Sequence, residues 1–267
     1  MTRIDWAVRA YLVFAAVQGL GIGLTGLIAP DAMQIPPRLT PLNARFVAAL
    51  YVAGGIGVAL AAANPRRIGN RLFCIGFGLA TLLILGLTLL HWSDFMDPAL
   101  PHRLVWMFDY VVDPLLALIL IPLAGLWPAR RASRHSLSGM LYVKGVVFGA
   151  LGVLLVFAPG VAASYWPWAL PPVAGQLYGC FILTFGLGDV LAARESDARA
   201  VRDFLIAACS LCLLVLLASA LHLDRFKPEP VTPIWFLFFT FWGAVCGAGL
   251  ARWVRRQAAL ERAGATV

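Results

Sequence analysis

Eight stretches of this chain are each long and apolar enough to cross a bilayer, and little sequence is left between them. They run approximately over 8–29, 44–63, 71–91, 104–126, 139–158, 174–193, 203–222 and 231–252. A hydrocarbon core about 30 Å thick needs roughly 20 consecutive apolar residues as helix. Only 13% of the residues are charged, 61% are hydrophobic and the mean hydropathy is +0.84, against roughly 25% charged in an ordinary soluble domain. The expectation is an all-α polytopic membrane protein of eight transmembrane helices with almost nothing left over for a soluble domain.

The net charge of +8 would suggest nucleic acid as a partner in a soluble protein. Placed between spans it reads as topology instead, and no nucleic-acid partner is expected. With the N-terminus in the cytoplasm, fifteen cationic residues fall on that side, among them Arg66, Arg67, Arg130, Arg131 and Arg134. Five fall opposite, namely Arg38, Arg45, Arg103, Arg225 and Lys227, and Lys144 lies inside a span. The positive-inside rule then puts both termini in the cytoplasm of a cell whose inner (cytoplasmic) membrane holds the chain. Trp6, Trp127 and Trp253 fall at inner ends, and Trp92, Trp106, Trp166, Trp168 and Trp235 at outer ends, where headgroup anchoring is expected. The first span, followed by "IAPDA", is too long for a signal peptide and has a counterpart in mid-chain, so it is read as a helix.

That counterpart belongs to a longer internal match. At an offset of 131, Pro41 meets Pro172, Gly55 meets Gly186, Gly57 meets Gly188, Arg71 meets Arg202 and His91 meets His222. With small gaps, Ala29-Pro30 meets Ala158-Pro159 and Trp106 meets Trp235. The chain therefore divides into a four-helix repeat over 1–126, a cytoplasmic connection over 127–138, a second repeat over 139–255 and a tail over 256–267. An even number of spans per unit makes the repeats parallel, about a pseudo-two-fold axis along the membrane normal. The loop "APGVAASYWPWALPP" after helix 5 carries no charge and is expected to be anchored at the headgroups, the alternative being a lid that dips inward.

Each half resembles the DoxX-like four-helix membrane proteins through Gly23, Leu24, Leu27, Ala29 and Pro30, a proline-bearing loop, Arg45 at the head of the next helix, and Gly55 and Gly57. The second half departs from the pattern, with Gln176 in place of the arginine. The resemblance implies a four-helix unit and, from some members, a link to quinone-coupled oxidation or to redox partner proteins.

Ionisable groups within a span are costly and usually face a bundle interior or a cavity. "FDYVVDP" carries Asp109 and Asp113 four residues apart, hence on one helix face, with Pro114 expected to leave the Tyr110 carbonyl free. Two close carboxyls can hold a proton, bind a cation or act as acid and base, which makes them the candidate catalytic pair if the protein is an enzyme. Arg45, His91, His222, Gln176 and Tyr110 fall at the same depth, and together with the acids they form an expected outer-half ligand site. The structural alternative pairs one acid with Arg45 and leaves the histidines at the headgroups. Haem or metal ligation by His91 and His222 is weighed and set aside, so no metal is assigned and the cofactor stays unspecified. Lys144 and Asp189, at equal depth on consecutive helices, are expected to form a structural ion pair. Cys209-x-x-Cys212 stands mid-span and, like Cys74, Cys180 and Cys246, reads as packing.

The resulting expectation is a protein surrounded by membrane lipids that binds a lipid, quinone or isoprenoid-like molecule in an outer-half polar and aromatic cavity, as a subunit of a redox system. A proton- or cation-coupled carrier and an intramembrane isomerase or cyclase using an Asp as general acid remain as alternatives.

Overall fold

The computed structural model describes residues 2–33, 35–64, 70–99, 101–127, 135–228 and 230–262, with side chains as far as Arg255. Eight long helices carry the fold: α1 (Arg3–Ile28), α2 (Pro41–Ala63), α3 (Arg71–Leu90), α4 (Arg103–Leu123), α5 (Ser138–Phe157), α6 (Pro172–Arg194), α7 (Ala198–Ala220) and α8 (Val231–Arg262). Each is long and apolar enough to cross a membrane, α8 over Val231–Arg255, and no strand occurs among the described residues. The chain is a multi-pass membrane protein. Five of the cations used for orientation, Arg66, Arg67, Arg130, Arg131 and Arg134, lie outside the described residues, as do 128–134 of the connection and 263–267 of the tail. The tail's residues 256–262 continue α8.

Local chemistry sets the helix ends. Thr2 and Asp5 form a reciprocal capping box at the start of α1, and Asp197 accepts from the amides of Arg199 and Ala200 at the start of α7. Pro41 and Pro172 each open a helix, where a missing N–H costs nothing. The fourth helix runs on through Pro114 and Pro122 and stops at Gly125, whose φ of +65° suits glycine, with Leu126 N–H donating to the Ile121 carbonyl at 2.9 Å.

Side-chain burial sorts the helices into an inner and an outer set. In α2, α3, α6 and α7, 50–72% of the apolar segment is buried, against 28–39% in α1, α4, α5 and α8. Helix α1 lies along α2, α5 along α6, α3 along α4 and α7 along α8. The inner helices then cross between the halves of the chain, α2 packing on α7 and α3 on α6. A bidentate pair ties the same two halves, Arg71 Nε and Nη2 meeting the Glu195 carboxylate at 2.6 and 2.5 Å.

Several contacts occur twice at corresponding positions. Trp106 Nε1 donates to Thr88 Oγ1 at 3.1 Å, and Trp235 Nε1 to Ser219 Oγ at 2.9 Å. Arg45 Nε donates to the Leu27 carbonyl at 3.2 Å, and Gln176 Nε2 to that of Val156 at 3.0 Å. Gly23 lies against Val52 and Gly152 against Leu183; Gly57 meets Phe73 and Gly188 meets Phe204. A Cβ at Gly152 would stand 2.5 Å from the Leu183 nitrogen, so these helices touch through their backbones.

Four of the five tryptophans expected at outer headgroups are buried instead. Trp106, Trp166, Trp168 and Trp235 are all at most 7% exposed, whereas Trp92 is 52% exposed. Hydrogen bonding and ring packing outcompete the interface: Trp168 Nε1 donates to Asn43 Oδ1 at 2.7 Å, and Phe46, Trp166, Trp168 and Trp235 meet at centroid distances of 5.0–6.0 Å. Trp166, Trp168 and Leu170 of the "SYWPWAL" loop thus pack inward, whereas its Tyr165 is 75% exposed.

Candidate functional site

A cavity of about 110 Å³ lies among α1, α2, α3 and α4, with α6 and α7 behind it. It exists because the facing positions are small: Ala15 and Gly19 on α1, Gly54 and Gly55 on α2, Gly76 and Ala80 on α3. A Cβ at Gly54 would meet nothing within 4 Å, and one at Gly76 only Thr184 at 3.9 Å.

One end of the cavity is polar. Asp109 and Asp113 stand about 9 and 15 Å along α4 from its start, at 1.5 Å per residue. Both line the cavity, as do Tyr51, Tyr110 and Gln18. Asp113 is 2% exposed, and its Oδ1 is buried with no hydrogen-bond partner. Its backbone carbonyl accepts from the Tyr11 hydroxyl at 3.2 Å, which ties α1 to α4 beside Pro114. The Tyr51 and Tyr110 hydroxyls are hydrogen-bonded to each other, and Tyr110 packs on Trp106 at 4.3 Å. The Gln18 side chain is turned toward Asp109 and interacts with its carboxyl, while its buried Nε2 has no closer hydrogen-bond partner. The rest of the wall is hydrocarbon, with Phe73, Phe77, Phe181, Phe185 and Phe204 leading away from the acids to Leu72 at the start of α3. The cavity is therefore longer than the outer-half site expected from sequence, because the glycines of α2 and α3 leave room well beyond the acids.

The expected site residues divide into two groups. Asp109, Tyr110 and Asp113 come together at the cavity, while Arg45, His91, Gln176 and His222 do not line it. No Lys, Arg or His is among its lining residues, so the acids face it without a cation. Arg45 Nη1 meets His222 Nε2 at 2.6 Å, and Gln176 is held by the Val156 carbonyl. His91 stands 3.8 Å from Asp94 at the surface. Lys144 Nζ lies 2.7 Å from Asp189 Oδ2, both fully buried, with the ammonium 4.5 Å above the Phe148 ring. Gln18 and Tyr51 were not anticipated. Their one signal in sequence is a polar group in mid-span, and spacing alone does not say that these two point at α4.

At the positions that the internal sequence match pairs with four of the lining residues, the second half carries bulkier side chains. Where the first has Ala15, Gly19, Asp109 and Asp113, the second has Lys144, Phe148, Phe238 and Trp242. Phe148 lies 5.5 Å from Phe238 and 6.3 Å from Trp242, centroid to centroid.

No protein-family model, curated protein or solved structure matches this chain. The cavity's own chemistry therefore carries the functional argument.

His222 supplies a pH test away from the cavity. Burial first, and then the Arg45 guanidinium and Arg225, push its pKa below the ordinary 6.5, with Asp224 acting the other way. The fold thus favours neutral His222, whose Nε2 accepts from Arg45. The unfolded chain binds more protons just below pH 6.5, so stability is full above that pH and declines as the pH falls through it. Thermal melting in detergent is expected to show Tm dropping between pH 7 and pH 5, with a shallower drop in His222→Gln, which keeps an acceptor but does not titrate. Equal slopes for both proteins would rule the Arg45–His222 contact out as the cause.

Proposed function

We propose that this protein binds, inside the bilayer, a lipid or quinone-like molecule whose polar head lies at Asp109, Tyr110, Asp113 and Tyr51 and whose apolar part follows the phenylalanines. The observation that carries this reading is the gradient within one cavity, acids and hydroxyls at one end and hydrocarbon along the rest. A volume of about 110 Å³ is somewhat less than that of a ~150 Å³ engineered cavity that takes benzene, so it accommodates a small head or a single ring rather than a whole lipid. The tail leaves between α1 and α4, which meet over a short stretch and where Gln18, Ile22 and Asp109 are only partly buried.

The paired hydrogen bonds and glycine contacts support reading the chain as two parallel four-helix repeats, a tandem duplication in which one unit kept its cavity. The excess of cations on the terminal side supports cytoplasmic termini in an inner membrane. The DoxX-like resemblance makes a redox protein the partner class to look for.

The test is to fill the cavity. Gly76→Leu, and separately Gly54→Leu, add a side chain where a Cβ meets no backbone. Organic extracts of the purified wild type, analysed by mass spectrometry, are expected to contain a stoichiometric apolar molecule that drops about tenfold or more in both variants while their helical content is unchanged. The same lipid content in all three proteins would end this reading.

A further inference from the structure

The hydrogen-bonding capacity left over at the cavity's polar end narrows the class of ligand, on the assumption that the binding reading above is right. Two buried side-chain atoms on residues lining the cavity have no close hydrogen-bond partner: Gln18 Nε2 and Asp113 Oδ1. Buried polar groups in folded proteins are almost always paired. Two orphans facing one cavity, one an amide and the other a carboxyl, describe what the missing group must do. The neighbouring tyrosines do not serve them, since the Tyr51 and Tyr110 hydroxyls are engaged with each other and Tyr11 is spent on the Asp113 backbone carbonyl.

We infer that the ligand's head group is a hydroxyl, making the ligand a long-chain or isoprenoid alcohol or a hydroquinone-type ring alcohol. A hydroxyl donates one hydrogen bond and accepts two. It accepts from the Gln18 amide and, with its own proton, serves Asp113 as a carboxylate; if Asp113 carries the proton, the hydroxyl accepts from it instead. A hydroxyl therefore serves both states of Asp113, and the other common heads do not. A ketone or quinone carbonyl only accepts, so it fits the protonated acid alone and leaves an ionised Asp113 without a donor. An ammonium only donates, so it brings the Gln18 amide no acceptor and leaves it to Asp109 alone. A carboxylate or phosphate would add negative charge beside Asp109 and Asp113, with no Lys, Arg or His lining the cavity to offset it. Sites built to bond a hydroxyl discriminate sharply against analogues lacking it, because their own polar groups are then left bare.

The experiment uses full-length protein in detergent and four probes sharing one C15 isoprenoid chain: the alcohol, its methyl ether, the matching ketone and the parent hydrocarbon. Binding is read by quenching of tryptophan fluorescence, with thermal melting as a folding control. The alcohol is expected to bind at least about tenfold more tightly than the ether, which accepts but cannot donate, and than the hydrocarbon. Gln18→Leu and the near-isosteric Asp113→Asn should each reduce that preference to within a few-fold while leaving hydrocarbon binding in place. Equal affinity for alcohol, ether and ketone, lost in Gly76→Leu, would overturn the hydroxyl and leave the cavity reading standing. Binding of no probe, or binding indifferent to Gly76→Leu, would overturn both.

Discussion

Lys144→Ala is expected to destabilise the protein by about 3–5 kcal/mol, the range for breaking a fully buried pair from one side. The loss comes less from the missing contact than from Asp189, which stays 0% exposed with one oxygen already unpartnered and no counter-charge after the change. The lysine chain also packs over Phe148, so truncation removes buried hydrocarbon as well. The control is the double change Lys144→Met with Asp189→Leu, which removes both charges and keeps the volume. That variant is expected to melt within a few degrees of wild type, since uncharged replacements of buried pairs are often neutral or better. Thermal melting of the three proteins in one detergent separates the cases. A single Lys144→Ala variant as stable as the double variant would show that the pair contributes nothing to folding.

A still larger effect is expected on separating the two halves. Residues 1–127 expressed alone should fail to accumulate as folded protein, falling at least about tenfold below the intact chain, whereas both halves expressed together should assemble and co-purify. The reason is the crossing of the inner helices: α2 buries its face on α7 and α3 on α6, so each half leaves its two most buried helices uncovered. Lipid can cover such faces with hydrocarbon. It cannot reproduce side chains seated directly on a glycine backbone, such as Phe73 and Ala207 on Gly57, where one glycine receives a residue from each half. Nor can it supply Glu195 to Arg71. A monodisperse, cooperatively melting first half would contradict this.

Sequence carried the eight helices because hydropathy and length decide them with no knowledge of neighbours: every expected span lies within a few residues of a helix. It also placed Lys144 level with Asp189, since equal depth on consecutive antiparallel helices is arithmetic on residue numbers. It could not say which way a residue faces around its helix once nearly every neighbour is apolar. Arg45 was for that reason grouped with the acids by depth, although it faces Leu27 and His222 on the other side of α2. Tyr51 went unremarked although it meets Tyr110. The tryptophans were misplaced for a related reason. Amphipathic rings prefer an interface when nothing better is at hand, and here Asn43, Thr88 and Ser219 offered hydrogen bonds inside the protein. Of the candidate site, then, the three residues on α4 were legible, and the walls contributed by α1, α2, α3, α6 and α7 were not.

The aromatic filling of the second half bears on ancestry and stoichiometry. Four-helix units whose inner helices cover one another make sense as a symmetric pair of separate chains before they make sense as a fusion, and such a pair would have carried two equivalent chambers. On the duplication reading proposed above, joining the copies released each from the duty of matching the other. One could then exchange ligand space for rigidity, with Phe148, Phe238 and Trp242 standing where its sister keeps Gly19, Asp109 and Asp113. On that reading, together with the binding proposed above, the chain is a one-ligand protein on a two-site frame, with the filled unit serving as the stiff wall against which the open one works.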